Sequence, residues 1–199
     1  MKDIGKSSSG AELRVGIVAL QGDFSAHARM CRSIGADTVE IRTAADFDGC
    51  THIVLPGGES TTILKLFEFH DLSKSILHAA KSGTPILATC AGVILLAHRI
   101  TEDGQKSLGL INIEIHRNAY GRQVESFEAD LSIPTIGNEP FAGVFIRAPI
   151  IASTGNGVDV LSTHRDRPVL VRQGNIIGAT FHPELSGDTR LHEMFFSEP

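Results

Sequence analysis

The sequence predicts an α/β fold in which a central, mostly parallel sheet is flanked by helices, with additional antiparallel strands in the second half. Three observations carry this expectation. In the first half, short apolar runs alternate with segments of helical spacing, the pattern of a parallel sheet covered by helices on both faces. In the second half, strand-like segments follow one another with little helix between them. The chain has 199 residues, 42% hydrophobic and 21% charged, so one core can form without disulfides or a structural metal, roughly 70% of the unfolded surface being buried at this size.

The elements follow in order. Leu13 to Leu20 is a nearly continuous apolar run ending in Gln21-Gly22-Asp23, which fits a strand buried on both faces and then a turn. Phe24, His27, Ala28, Cys31 and Ile34 share one helical face, and Gly35 stands where a C-cap glycine belongs. Thr38 to Arg42 and His52 to Leu55 read as strands, the second stopped by Pro56-Gly57-Gly58. Ser60 is suited to cap a helix that turns Ile63, Leu64 and Phe67 inward. Leu72 to Lys81 is amphipathic and ends at Ser82-Gly83; Pro85 to Thr89 then reads as a strand and Gly92 to Arg99 as a helix. Asn112 to His116, Phe127 to Leu131, Gly143 to Ile146, Val158 to Thr163, Pro168 to Gln173 and Asn175 to Thr180 are strand-like, with a hairpin turn at Gln173-Gly174-Asn175. Asp188 to Phe196 returns to helical spacing behind an acidic cap. No internal repeat or linker interrupts residues 13–199, which are expected to form one domain.

Composition narrows the function. Eighteen basic residues against 23 acidic ones give a net charge of −5, which argues against nucleic acid or an anionic membrane as partner. The apolar runs Val15 to Leu20 and Ala91 to Ala97 fall far short of the roughly 20 residues of a membrane span. Residues 1–12 are rich in Ser and Gly and lack a signal-peptide core, so they read as a flexible tail. Cys31, Cys50 and Cys90 are too few and too scattered for a disulfide framework or a zinc site. A small substrate and a reducing, cytoplasmic setting are expected, with no metal or cofactor.

Cys90, in Ala88-Thr89-Cys90-Ala91-Gly92, falls where a strand passes into a helix. Small residues two before and two after such a position permit the sharp turn of a nucleophile elbow, and the helix N-terminus beneath favours a thiolate. A buried structural thiol fits the same string. A cysteine nucleophile needs a base, and the base an orienting group. Phe181-His182-Pro183-Glu184 offers both: Pro183 keeps His182 extended, and residues i and i+2 of an extended chain point to one side. On its own the tripeptide also fits a surface turn. Acyl transfer further needs backbone N–H groups aimed at the developing oxyanion. Those of Gly58, in Pro56-Gly57-Gly58-Glu59-Ser60, and of Ala91 are the candidates, although a glycine pair after a strand also suits a phosphate cradle or a plain turn.

Six strings occur in order: Gly57-Gly58-Glu59-Ser60-Thr61-Thr62, Thr89-Cys90-Ala91-Gly92, Arg117 to Gln123, Ser126 to Leu131, Phe145-Ile146-Arg147-Ala148-Pro149 and Phe181-His182-Pro183-Glu184-Leu185. Together, from about Val15 to Phe196, they resemble the glutaminase-subunit family of pyridoxal 5′-phosphate synthase, within the class I (triad) glutamine amidotransferases. The Cys and His-Pro-Glu elements are common to triad glutaminases, whereas the strings around Arg117 and Arg147 are narrower. The resemblance implies a three-layer class I amidotransferase fold, with Cys90 as nucleophile, His182 as general acid and base, and Glu184 as its orienter. It also implies glutamine recognition by Gly57, Gly58, Glu59, Arg117, Ile146 and Arg147, and transfer of ammonia to a barrel-shaped synthase subunit. Pyridoxal phosphate is then a product of the complex and no cofactor of this chain. The chemistry agrees, since a guanidinium suits the α-carboxylate of glutamine and a carboxylate its α-ammonium. Ala88 stands where glycine is frequent in that family. The competing readings are a triad glutaminase serving another synthase, a cysteine hydrolase with a similar elbow, and a non-catalytic regulatory subunit. The remaining histidines, His27 and His192 among them, read as core or surface residues.

Overall fold

The structure is a computed structural model that describes residues 12–101, 106–117 and 126–198. Most of the expected N-terminal tail and the string Asn118 to Gln123 lie outside the described residues. The first half runs β1 (Arg14–Val18), α1 (Phe24–Ser33), β2 (Asp37–Ile41), β3 (His52–Leu55), α2 (Ser60–Phe69), α3 (Leu72–Lys81), β4 (Ile86–Thr89) and α4 (Ala91–Leu96). The second half runs β5 (Ala97–Ile100), β6 (Ile111–His116), β7 (Phe127–Leu131), β8 (Phe141–Phe145), β9 (Ile150–Thr154), β10 (Asp159–His164), β11 (Arg167–Gln173), β12 (Ile176–Ala179) and α5 (Arg190–Phe196).

A seven-stranded sheet in the order β10-β11-β12-β4-β3-β1-β2 is the centre of the molecule. β2, β1, β3, β4 and β12 pair in parallel, and β11 and β10 extend the edge in antiparallel fashion. The expected mostly parallel sheet with added antiparallel strands is therefore present. Its inner strands are buried on both faces, and successive residues feed opposite cores, as a two-residue period requires. Ile53 and Leu55 join the apolar cluster of α2, α3 and α4, around Phe67, Leu72 and Ile76. Val54 points into the other cluster, with Cys31 of α1, Phe195 of α5, and Phe141 and Phe145 of the β7–β8 hairpin. A small sheet, β5-β6-β9, packs on the first side.

Three local readings change. The cap of α2 is Glu59, not Ser60: its carboxylate accepts from the N–H groups of Thr61 and Thr62 at 3.1 and 2.8 Å, while Ser60 begins the helix and is buried. A carboxylate with two oxygens serves both donors where a single hydroxyl serves one. The helix after Cys90 ends at Leu96, and Ala97–Ile100 becomes a strand parallel to β6. A short apolar run does not distinguish the two states by periodicity, and here edge pairing decides. β9 was not expected; it follows Pro149 and pairs with β6.

Candidate active site

The strand order 2-1-3 reverses direction at β1, opening a crevice between the carboxyl ends of β1 and β3. The turns after β1, β3 and β4 meet there around an open cavity of about 240 Å³. That is below the roughly 300 Å³ at which pockets for drug-sized ligands begin, and suits an amino acid. Gly57, Gly58, Glu59, Cys90, Ala91, Arg117, Ile146, Arg147 and His182 all line it. Glu184 is buried behind His182. Every sequence-derived candidate is thus in one place.

Cys90 holds φ at 47°, an uncommon conformation for a residue with a side chain. The turn is held from both sides. The Cys90 N–H donates to Ala179 O at 2.8 Å, because β12 runs parallel to β4 and ends level with it. Gly92 lies so close to β3 that a Cβ there would be 2.3 Å from the Leu55 carbonyl oxygen. Ala88 is fully buried within β4, so its methyl fills core and does not enter the turn. The thiol sulfur lies 3.9 Å from the Ile146 carbonyl oxygen. Arg147, next in sequence, also has positive φ, at 45°.

His182 has φ −108° and ψ 86°, non-helical but short of the expected extended geometry, and its N–H donates to Val144 O at 2.8 Å, fixing the segment on β8. The reason is the single 3-10 turn that Pro183–Leu185 forms directly after it. The carboxylate still returns to the ring, with Glu184 Oε1 accepting from His182 Nδ1 at 2.7 Å. This leaves Nε2 for the thiol. Burial pulls the His182 pKa down, but hydrogen bonding to Cys90 and to Glu184 outweighs it and raises it to about 10. Burial pushes Glu184 up, yet the attraction of His27 and the hydrogen bond from His182 hold it below the usual carboxylate range. Gly57 fits between His182 and Cys90, where a Cβ would meet His182 Cε1 at 2.6 Å and Cys90 Cβ at 3.1 Å.

Glu59 is heavily engaged. Its carboxylate accepts from the Thr61 and Thr62 hydroxyls as well as from their N–H groups, and lies 3.5 Å from Arg117 Nη2. The Thr61 hydroxyl first, then Thr62, outweigh partial burial and pull its pKa to about 2. Glu59 therefore steers Arg117 at the cavity wall while capping the helix beneath it. Cys31 is a different kind of thiol, pushed by burial up to about 12 inside the core. Among the described residues no group of three or more His, Cys, Asp or Glu is placed to hold a metal ion, and no helix is long and apolar enough to cross a membrane.

Two contributors were not foreseen. Gln21, in the turn after β1, accepts the Glu59 N–H on its side-chain oxygen at 2.8 Å and so ties that turn to the Gly57-Gly58 loop. His27 touches Glu184 from behind, at 3.2 Å. Neither belongs to a local motif, and only the topology brings them in.

Comparison with known proteins agrees with this arrangement. The model of the SNO glutamine amidotransferase family matches residues 17–198. A pyridoxal 5′-phosphate synthase subunit PdxT from Pelotomaculum thermopropionicum is 47% identical over 186 residues, 94% of this chain and 95% of that protein. Its counterpart from Kosmotoga olearia is 45% identical over 187 residues, 94% and 97% of the two chains. A crystal structure of a glutamine amidotransferase superimposes with a TM-score of 0.86 at 44% identity, covering 91% of this chain and 96% of that one. The structure of PurLQS from Thermotoga maritima shares the fold, with a TM-score of 0.68 at 19% identity over 92% and 95% of the two chains. With the family model spanning nearly the whole chain and relatives this similar, the chain belongs to the SNO glutamine amidotransferase family.

Proposed function

We propose that Cys90, His182 and Glu184 perform the glutamine hydrolysis by which this chain supplies ammonia for pyridoxal 5′-phosphate (vitamin B6) synthesis. The observation that carries the reading is the convergence of the Cys90 elbow and His182 on one cavity, on either side of Gly57, with His182 Nδ1 hydrogen-bonded at 2.7 Å to the buried Glu184. In this mechanism the Cys90 thiolate attacks the side-chain carboxamide carbon of L-glutamine, and the Gly58 and Ala91 N–H groups receive the oxyanion. His182 gives its proton to the departing nitrogen, releasing ammonia and leaving a thioester. It then takes a proton from water, whose attack frees L-glutamate and restores the thiolate and the protonated imidazole. Glu184 keeps the imidazole in the required tautomer throughout. Arg117 and Arg147 at the cavity wall receive the α-carboxylate, with Gly57, Glu59 and Ile146 completing the glutamine site.

The relatives at 44–47% identity are named as subunits of pyridoxal 5′-phosphate synthase, and the synthase subunit is the partner that receives the ammonia. Residues 13–199 then act as one glutaminase domain. We place the reaction in the cytoplasm, where free thiols such as Cys90 stay reduced. The test is ammonia release from L-glutamine by the chain with its synthase subunit. Release by the wild type that disappears in Cys90→Ala, with the complex still forming, is the expected result. Undiminished release by Cys90→Ala would sink the triad assignment.

A further inference from the structure

Behind the triad lies a fully buried polar line that the hydrolytic steps do not use. His27 of α1 and His192 of α5 are both 0% exposed, and the Glu184 side chain is 1% exposed. His27 Nε2 lies 3.2 Å from Glu184 Oε2 and 3.2 Å from the hydroxyl of Thr89, the residue before Cys90. His27 Nδ1 lies 3.4 Å from His192 Nε2. Glu184 commits its other oxygen, Oε1, to His182. Glu184 Oε2 is buried and completes no hydrogen bond among the described residues, but it faces His27 Nε2 at ion-pair distance.

From this geometry we infer that His27 is a positioning residue for hydrolysis: its Nε2–H, held by Thr89 Oγ1 and facing the otherwise unbonded Glu184 Oε2 at 3.2 Å, steadies by electrostatic attraction the carboxylate that orients His182, and His192 fixes the tautomer of His27. This rests on the glutaminase reading above. The tautomer follows from the partners. A nitrogen lone pair facing an ionised carboxylate oxygen at 3.2 Å would be repelled, so Nε2 carries the hydrogen. Burial holds both His27 and His192 below the ordinary histidine range, so each ring is neutral and has one N–H. Nδ1 of His27 is then an acceptor, and His192 Nε2–H is the donor that meets it. The remaining ring nitrogen of His192, Nδ1, has no partner among the described residues, consistent with its carrying no hydrogen.

The other charged and titratable groups acting on His27 are Asp23, at the start of its own helix, and His182. Asp23 Oδ1 accepts from the Ala26 N–H and the Ser25 hydroxyl, and His182 Nδ1 is paired with Glu184 Oε1. His27 itself does not line the cavity. Its loss must therefore act on the chemical step and not on glutamine binding. Without the N–H that faces it, the buried carboxylate oxygen turns or takes up a proton, and His182 loses its fixed orientation.

The experiment uses the complex with the synthase subunit and compares wild type with His27→Leu, which fills the space without a donor, and His27→Gln, whose amide N–H reaches the Nε2 position. Ammonia release gives kcat and KM, and melting temperature and complex formation are measured alongside. His27→Leu is expected to lower kcat by about 10- to 100-fold, with KM within about twofold, and His27→Gln to recover most of the loss. Equal losses in the two variants, or a wild-type kcat in His27→Leu, would overturn the inference. Should His27→Leu not fold, His27→Asn, whose shorter amide falls on the Nδ1 side, replaces it; an Asn variant as active as the Gln variant overturns the inference equally. A wild type that releases no ammonia refutes the glutaminase reading instead, so the two failures are distinguishable.

Discussion

Gly57→Ala is the sharpest probe of the site, because the structure fixes what one methyl would do. The Cβ would lie 2.6 Å from His182 Cε1 and 3.1 Å from Cys90 Cβ, where ordinary contact begins at 3.4 Å. Relieving the first contact requires the imidazole or the loop to move by about 0.8 Å, and the second blocks retreat towards Cys90. Displacements of about 1 Å in reacting groups cost on the order of 100-fold in rate, which corresponds to about 2.7 kcal/mol of barrier. Gly57 is absent from the positive-φ positions, so alanine meets no backbone obstacle and the fold should lose no more than about 1–3 kcal/mol through overpacking. The assay is steady-state ammonia release by the complex with the synthase subunit, accompanied by a thermal melt. The expected outcome is kcat down about 100-fold in a folded, partner-binding chain. Wild-type kcat in such a chain would mean that His182 and Cys90 do not need the spacing seen here.

Three further perturbations have defined outcomes. Folded His182 titrates near 10 against an ordinary value of 6.5, so its contribution to stability is complete below pH 6.5 and fades as pH rises through about 10. Urea melts across that range should show wild type converging on His182→Gln with rising pH; a constant gap would contradict the raised value. Replacing Cys90 with Ala removes one of the hydrogen bonds that raise His182, and an NMR titration should show the imidazole midpoint falling. Glu59→Ala removes both the cap of α2 and one partner of Arg117, so KM for glutamine should rise while the melt shows about 1 kcal/mol lost.

How far the sequence reveals such a molecule depends on how local the determining interactions are. β3 and α3 have the expected bounds because Pro56-Gly57 and Ser82-Gly83 punctuate them directly. The cap of α2 was misplaced by one residue, since local preference favours Ser60 and only the geometry shows Glu59 reaching two N–H groups. The helix after Cys90 was read too long because Ala97–Ile100 takes its state from β6, a partner that no local pattern reveals. In the site, Cys90, His182 and Glu184 stood out through short motifs with a mechanical reason behind each. His27 did not, because a buried histidine on the apolar face of a helix resembles any core residue until Glu184, far along the chain, is placed against it.

The parallel strands explain why those separate motifs converge. β4 and β12 end together, with Ala179 paired to Thr89, so the turn that strains Cys90 and the segment that carries His182 leave the sheet side by side. β3 ends on the other side of β4 and delivers Gly57 to the gap between them. From α1, packed behind that end of the sheet, the His27 side chain reaches both Thr89 and Glu184. Cys90, His182, the Gly57-Gly58 loop and the residue behind the Glu184 carboxylate are thus supplied by four different turns or helices. Their relative placement is set by strand register in a sheet buried on both faces. A change in that register would separate them without altering any motif, so the site is a property of the fold as much as of its residues.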